Sequence, residues 1–238
     1  MIMITLFKYR PFNDFLKPII ANQKIWFPNR SGLNDPEDLQ VKIVNDIDAA
    51  IYHQFLIKKS QQESWSRKYL QYNLKKAFTR GFKENILTEA KIKIDASQAI
   101  LQKYFDNLGI LSLTDKKDCP DLWKIYADDE KGVCITFKMN ISNFLLKVDY
   151  ETPRPNLFLS KLLLSSYAEK EFIKVLKTKT TKHDYESEWR YFLKNGNNEF
   201  PFPGIIDEIM LGRKMDEKNR QIIVKWANKA NQPIIIND

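Results

Sequence analysis

The sequence predicts an α+β fold: a mixed central β-sheet with flanking helices and a helical insertion. Two observations lead to that class. Short runs rich in β-branched and aromatic residues stand towards both ends of the chain, which suits strands. Between them, residues 37–108 keep apolar side chains at helical spacing and carry very little Gly or Pro. A third observation sets the scale: 238 residues with 43% hydrophobic and 13% aromatic content suffice for a packed core. The expectation is a single domain, 1–238, with 37–108 as a helical subdomain inside it.

The elements follow in order. Ile2–Arg10 (IMITLFKYR) reads as a first strand, and a short helix capped by Asn13 or Asp14 runs to Ala21, with Pro18 predicting a kink. Lys24–Pro28 is a second strand, followed by the turn-rich Ser31–Pro36. From Pro36 to about Leu108 the spacing of Ile43, Ile47, Ile51 and Phe55, then Tyr69, Tyr72 and Phe78, then Ile94, Leu101 and Phe105, is helical. Strands then fit Ile110–Thr114 and Gly132–Phe137, with another over Leu145–Tyr150, and a short helix fits Pro120–Ala127. A helix over Leu157–Lys177, strands over Trp189–Leu193 and Ile205–Leu211, a helix over Asp216–Ala230 and a strand over Pro233–Ile236 complete the chain.

Composition excludes several classes. With 7 Gly and neither a GxGxxG nor a GxxxxGK[ST] run, the usual glycine-based phosphate cradles are absent. Cys119 and Cys134 lack zinc-ligand spacing, and His53 and His183 lie far apart, so no metal site is expected. No apolar stretch approaches the ~20 residues a spanning helix needs, so no membrane is expected. Two cysteines and no recognisable signal peptide place the chain in a reducing cytoplasm. The net charge of +8 makes a basic protein, suited either to an anionic partner such as nucleic acid or a dinucleotide, or simply to solubility.

The most chemical segment is Tyr185-Glu186-Ser187-Glu188-Trp189-Arg190. Read as the mouth of a buried strand, it puts Glu186 and Glu188 side by side on one face, because residues i and i+2 share a face. Like charges so close raise the pKa of one of them, an arrangement that suits two carboxylates around one reacting centre.

The segments KYRPF, GLNDPED, ILSLT, the Trp-x-x-Tyr-Ala helix, GVCITF, YESEWR and IDEIMLG occur in an order that resembles the bacterial domain-of-unknown-function family 2971. The resemblance touches most of the chain except 37–108. A second resemblance is to the mono-ADP-ribosyltransferases: an Arg on a first strand, Ser/Thr on a middle strand, and Glu-x-Glu opening a late strand. Here the middle motif is Ser-Leu-Thr rather than Ser-Thr-Ser, and Trp-Arg follows the glutamates. That resemblance implies the ADP-ribosyltransferase fold and an enzyme that takes NAD as substrate and transfers ADP-ribose to a macromolecular acceptor, in the manner of a toxin or defence effector. It implies that Arg10 holds the NAD phosphates, that Ser112 and Thr114 shape the nicotinamide side of the cleft, that Glu188 drives transfer, and that Glu186 serves the acceptor step. Tyr9, Trp123 and Tyr126 are candidates to pack on the rings of the nucleotide.

Plainer readings stand beside these. Arg10 suits a strand-end surface charge, Ser112 and Thr114 suit ordinary strand positions, and Glu186 and Glu188 could pair with Arg190 and Lys182. Trp123 and Tyr126 share a helix face and suit core packing, and Asn34-Asp35-Pro36 suits a helix cap or the rim of a cleft. Lys58, Lys59, Arg67, Lys68, Lys75, Lys76 and Arg80, interleaved with Trp65, Tyr69 and Tyr72, fit either a nucleic-acid surface or a solvated face over a buried aromatic stripe. Two rival functions follow: a nucleic-acid-binding or nucleic-acid-modifying protein, and a non-catalytic interaction module. An open pocket lined by Arg10 and Glu188 favours the enzyme, and a buried Glu188–Arg190 pair favours the module.

Overall fold

The computed structural model of the protein describes residues 2–40, 42–77, 98–100, 102–164 and 168–237. In chain order its strands are β1 (Met3–Arg10), β2 (Lys24–Phe27), β3 (Ile43–Val44), β4 (Leu108–Thr114), β5 (Val133–Asn140), β6 (Leu145–Lys147), β7 (Asp149–Tyr150), β8 (Leu157–Phe158), β9 (Thr178–Lys179), β10 (Glu188–Lys194), β11 (Asn198–Pro201), β12 (Gly204–Leu211) and β13 (Ile235–Asn237). Its helices are α1 (Leu16–Asn22), α2 (Ala49–Gln62), α3 (Arg67–Ala77), α4 (Pro120–Tyr126), α5 (Leu159–Leu164), α6 (Ala168–Leu176) and α7 (Glu217–Ala227). Residues 102–107 are also helical and lead directly into β4.

The chain divides into two compact units. The first comprises Met1–Pro36, Asp106–Thr152 and Lys179–Asp238, and the second Glu37–Phe105 and Pro153–Thr178. The first unit is built on a seven-stranded mixed sheet of order β13-β12-β5-β1-β4-β10-β6. Its pairings are antiparallel except β12 with β13. β1 pairs with β5 along its whole length, from Met3 opposite Asn140 to Arg10 opposite Val133. Against β4 it keeps a single rung, Phe7 opposite Thr114.

Alternation along these strands sorts the two faces. Leu6, Val133, Ile135, Phe137, Leu111 and Leu113 bury against one side together with Leu16, Ile19 and Ile20 of α1 and Ile223 and Ala227 of α7. Phe7, Tyr9 and Cys134 point to the other side, under Leu122, Trp123 and Ala127. α4 starts with Pro120, which needs no hydrogen-bonded N–H at that position. Pro18, the residue behind the expected kink or irregularity, falls in the first turn of α1, where its missing N–H costs nothing. After α4 the chain turns through Asp128, Asp129 and Glu130, all at positive φ (50°, 52° and 67°). That turn delivers the N–H of Gly132 to the carbonyl of Ala127 at 2.8 Å and closes the end of α4.

In the second unit, Asp48 caps α2 by accepting from the N–H of Ile51 at 2.7 Å. β3 and β8 pair in parallel, Ile43 opposite Leu157. α3 contains no buried residue, so its aromatic side chains do not form a buried stripe. The helix expected over 157–177 is β8 followed by α5 and α6. Of the expected helical stretch, 78–97 lies outside the described residues, with Phe78, Arg80 and Ile94 among them, as does Leu101.

Candidate functional site

The expected geometry of the Glu pair changes at Ser187. Residues Thr181–Glu186 form a 3-10 turn, Ser187 takes a left-handed conformation (φ 43°), and only Glu188 begins the strand. Glu186 is held from below by Thr114, whose hydroxyl donates to the Glu186 carbonyl at 2.6 Å. The N–H of Glu188 donates to the Tyr150 hydroxyl at 2.7 Å. The two carboxylates meet through a shared cation, not through strand alternation. Lys179 Nζ lies 2.5 Å from Glu186 Oε2 and 3.2 Å from Glu188 Oε2.

Arg190, which is fully buried, forks onto Glu188: Nε donates to Oε1 and Nη2 to Oε2, both at 3.0 Å. The other oxygen of Glu186, Oε1, accepts from the Tyr126 hydroxyl at 2.9 Å and lies 3.1 Å from His183 Nδ1. The far ring nitrogen of His183 faces the buried carboxylate of Asp35 at 3.5 Å. The cluster therefore runs from Asp35 through His183, Glu186 and Lys179 to Glu188 and Arg190. Its His183 end is partly exposed (side chain 20%), whereas Glu188 and Arg190 are 3% and 0% exposed.

Burial works against the charge on Glu188, but Arg190 and Lys179 outweigh it, helped by the Ser112 side chain, and hold the carboxyl down to about 2. Burial likewise disfavours charge on Lys179, and the two glutamates overturn this and raise its pKa. Burial and the adjacent Glu186 carboxylate push the Tyr126 hydroxyl up, so it acts as a hydrogen-bond donor near neutral pH. The positions of Glu188 and Arg190, their cations and carboxylates paired at close range, are those of a preorganised charge array.

The predicted residues divide. Glu186, Glu188, Ser112, Thr114 and Tyr126 come together. Trp123 is buried and meets Tyr9 edge-on, with ring centroids 5.2 Å apart. The Tyr9 hydroxyl ties down the 116–119 loop, donating to the Lys116 carbonyl and accepting from the N–H of Cys119, both at 3.2 Å. Arg10 lies opposite Val133 on the α1 face, while Glu188 shares the Phe7–Thr114 row on the α4 face. Arg10 and Glu188 thus project from opposite sides of the sheet. Arg10 Nε is buried and makes no hydrogen bond among the described residues.

Sequence reasoning missed four members. Asp35 came into view only as a cap or rim residue, Lys179 and Tyr150 carried no motif, and His183 had no partner at a recognisable spacing. Lys8, a further cation, lies on the same side of β1 as Arg10. Its Nζ donates to the Ser112 carbonyl at 2.7 Å, a group left without a β1 rung because the β1–β4 ladder stops at Phe7. Burial, then repulsion from Arg10, lowers Lys8 to about 7, against an opposing pull from Glu188.

A family model described as Protein of unknown function (DUF2971) matches residues 122–191. Over this span, from α4 to β10, the chain is similar to that family, and Tyr126, Lys179, His183, Glu186, Glu188 and Arg190 all fall inside it. No curated protein and no solved structure matches the chain. Among the described residues there is no helix long and apolar enough to cross a membrane, and no cluster of metal-ligating side chains.

Proposed function

We propose that the protein is an NAD-cleaving enzyme of the ADP-ribosyltransferase kind, with Glu186, His183 and Tyr126 forming the reacting edge. One observation carries this: the buried Glu186 carboxylate stands between the Tyr126 hydroxyl and the partly exposed His183 ring, near one end of an array of fixed charges. The nicotinamide of NAD is a cationic ring, and its departure leaves positive charge on the ribose. Carboxylates already oriented and desolvated stabilise such a charge without reorganising. The rings of Tyr126, Tyr185 and His183 suit contact with a cationic aromatic group. In this reading Glu186 faces the sugar, His183 and Tyr126 hold its carboxylate in place, and Glu188 keeps Lys179 and Arg190 in place. Arg10, expected on the NAD phosphates, projects from the other side of the sheet from Glu188; this geometry counts against the resemblance, and the reading rests on the Glu186 cluster alone.

The test is release of nicotinamide from NAD. Wild type should release it, and Glu186→Gln should lower the rate by about a hundredfold or more with the fold intact, as for loss of one preorganised group. Absence of release from wild type with protein, nucleic acid or water as acceptor would sink the proposal.

A second reading, a non-catalytic module, is the one favoured by the buried Glu188–Arg190 pair and by Arg10 projecting from the other face of the sheet: both oxygens of Glu188 are taken by Arg190 and Lys179. It predicts that substitutions throughout the cluster change stability alone.

A further inference from the structure

The outer face of α3 has no role in the centre described above. The helix carries Arg67, Lys68, Lys75 and Lys76, all exposed, and no acidic residue. Its half-buried side consists of Leu70, Asn73, Leu74 and Ala77. Between the cations stand Tyr69 and Tyr72, 51% and 62% exposed. These two are three residues apart and so lie on one side of the helix. Trp65 extends the same stripe by one turn. It meets Tyr69 edge-on at a centroid distance of 4.8 Å, and Lys59 Nζ lies 5.7 Å from its ring centroid. Glu63, the nearby acid, is occupied: it accepts from the Trp65 indole N–H at 2.8 Å and pairs with Lys59 at 3.7 Å.

We infer that α3 and Trp65 form a docking surface for single-stranded nucleic acid. The exposed rings of Tyr69 and Tyr72, with half-buried Trp65 beside them, give unpaired bases something to stack on, and the flanking cations follow the phosphates. Helix charge of one sign on a chain of net charge +8 complements a polyanion. A membrane surface fits less well. The outward apolar groups are tyrosines with polar tips, whereas the leucines of α3 face inwards. A duplex offers no free base faces. The inference stands apart from the NAD reading, and the two fail separately: oligonucleotide binding and nicotinamide release are independent measurements.

The experiment is fluorescence anisotropy of labelled poly-uridine and poly-thymidine of about 20 nucleotides, titrated with the full chain over a salt series. Binding should weaken with salt, with a log–log slope of about −3 if all four cations contact phosphate. K68Q/K75Q should lower the slope by about 1.4. Y69A/Y72A, which removes two stacking rings, should cost roughly thirtyfold or more in affinity while leaving the slope alone, the mark of lost stacking. K218Q/K229Q, on and beside α7, makes the same change in net charge and should leave affinity near wild type. All six positions are exposed, and circular dichroism checks that each variant keeps its fold. The inference is overturned if wild type does not bind at low salt, or if K218Q/K229Q loses as much as K68Q/K75Q. It is also overturned if phosphatidylserine vesicles bind where the oligonucleotides do not.

Discussion

Glu188 is 3% exposed yet remains charged, because Arg190 and Lys179 both reach it. Removing one partner of such a group strands the others. Glu188→Gln is therefore expected to destabilise the fold by about 3–5 kcal/mol. In a chain of this size that lowers the melting temperature by roughly 6–20 °C, measurable by calorimetry. A melting temperature close to wild type would mean that the array adds nothing to stability. The same pairing sets an acid limit. The pKa of Glu188 falls from 4.5 to about 2 on folding, so the unfolded chain binds the proton more readily between those values. The stabilisation, of roughly 3 kcal/mol, is complete above pH 4.5 and lost as the pH falls towards 2. Glu188→Gln should flatten that limb in acid titrations of stability.

Lys8 behaves in the opposite sense. Its pKa falls from 10.5 to about 7 on folding, so the unfolded chain holds the proton more tightly across that interval. Its contribution is a penalty, full below pH 7 and relieved as the pH rises towards 10.5. Lys8→Met should raise stability at pH 6–7 by roughly 2–4 kcal/mol, less the hydrogen bond to Ser112, and remove the alkaline gain. Urea denaturation at several pH values checks this, and identical pH slopes for the two proteins would refute it.

Among the elements, Gly132, like Gly212, stands where a side chain would meet a carbonyl oxygen. A Cβ there would lie 2.1 Å from the Arg10 carbonyl oxygen and 2.9 Å from that of Ala127. Neither neighbour is a flexible side-chain end. Gly132→Ala should cost about 1–3 kcal/mol by overpacking, and a melting temperature within about one degree of wild type would contradict the close approach. β1, β4, β5, β10 and β12 were readable because their buried stretches are rich in apolar side chains. β11 was not: it is largely exposed, ends in Pro201 and, among the described residues, pairs only with β2. The order of strands could not be read either, since apolar runs do not say which neighbour they face.

The carboxylates of the candidate site were legible for the same reason they were misplaced. Glu-x-Glu before an apolar run looks like the start of a strand, and only the left-handed Ser187 separates Glu186 into the preceding turn. Lys179 was hidden among Lys177, Lys179 and Lys182. A string of alternating lysines and threonines does not reveal that the middle lysine is buried between two glutamates.

For the molecule as a whole, individual elements differ in how deeply they are covered. Most of β5 is buried, whereas α3 has no buried residue. Hydrogen exchange followed by mass spectrometry should find α3 exchanging early and β5 last, because exposed backbone opens locally without global unfolding. Equal protection of the two would refute this.

The lone rung between Phe7 and Thr114 has a kinetic meaning. On one side of it β1, β5 and β12 are joined by long antiparallel ladders, and on the other β4 is joined to β10 in the same way. Each side can assemble on its own pairing, so folding of the sheet resembles two zippers that close separately and are clasped afterwards. Contacts made after the rate-limiting step govern unfolding more than folding. Weakening the clasp should thus speed the opening of the sheet and leave the closing of either zipper unchanged.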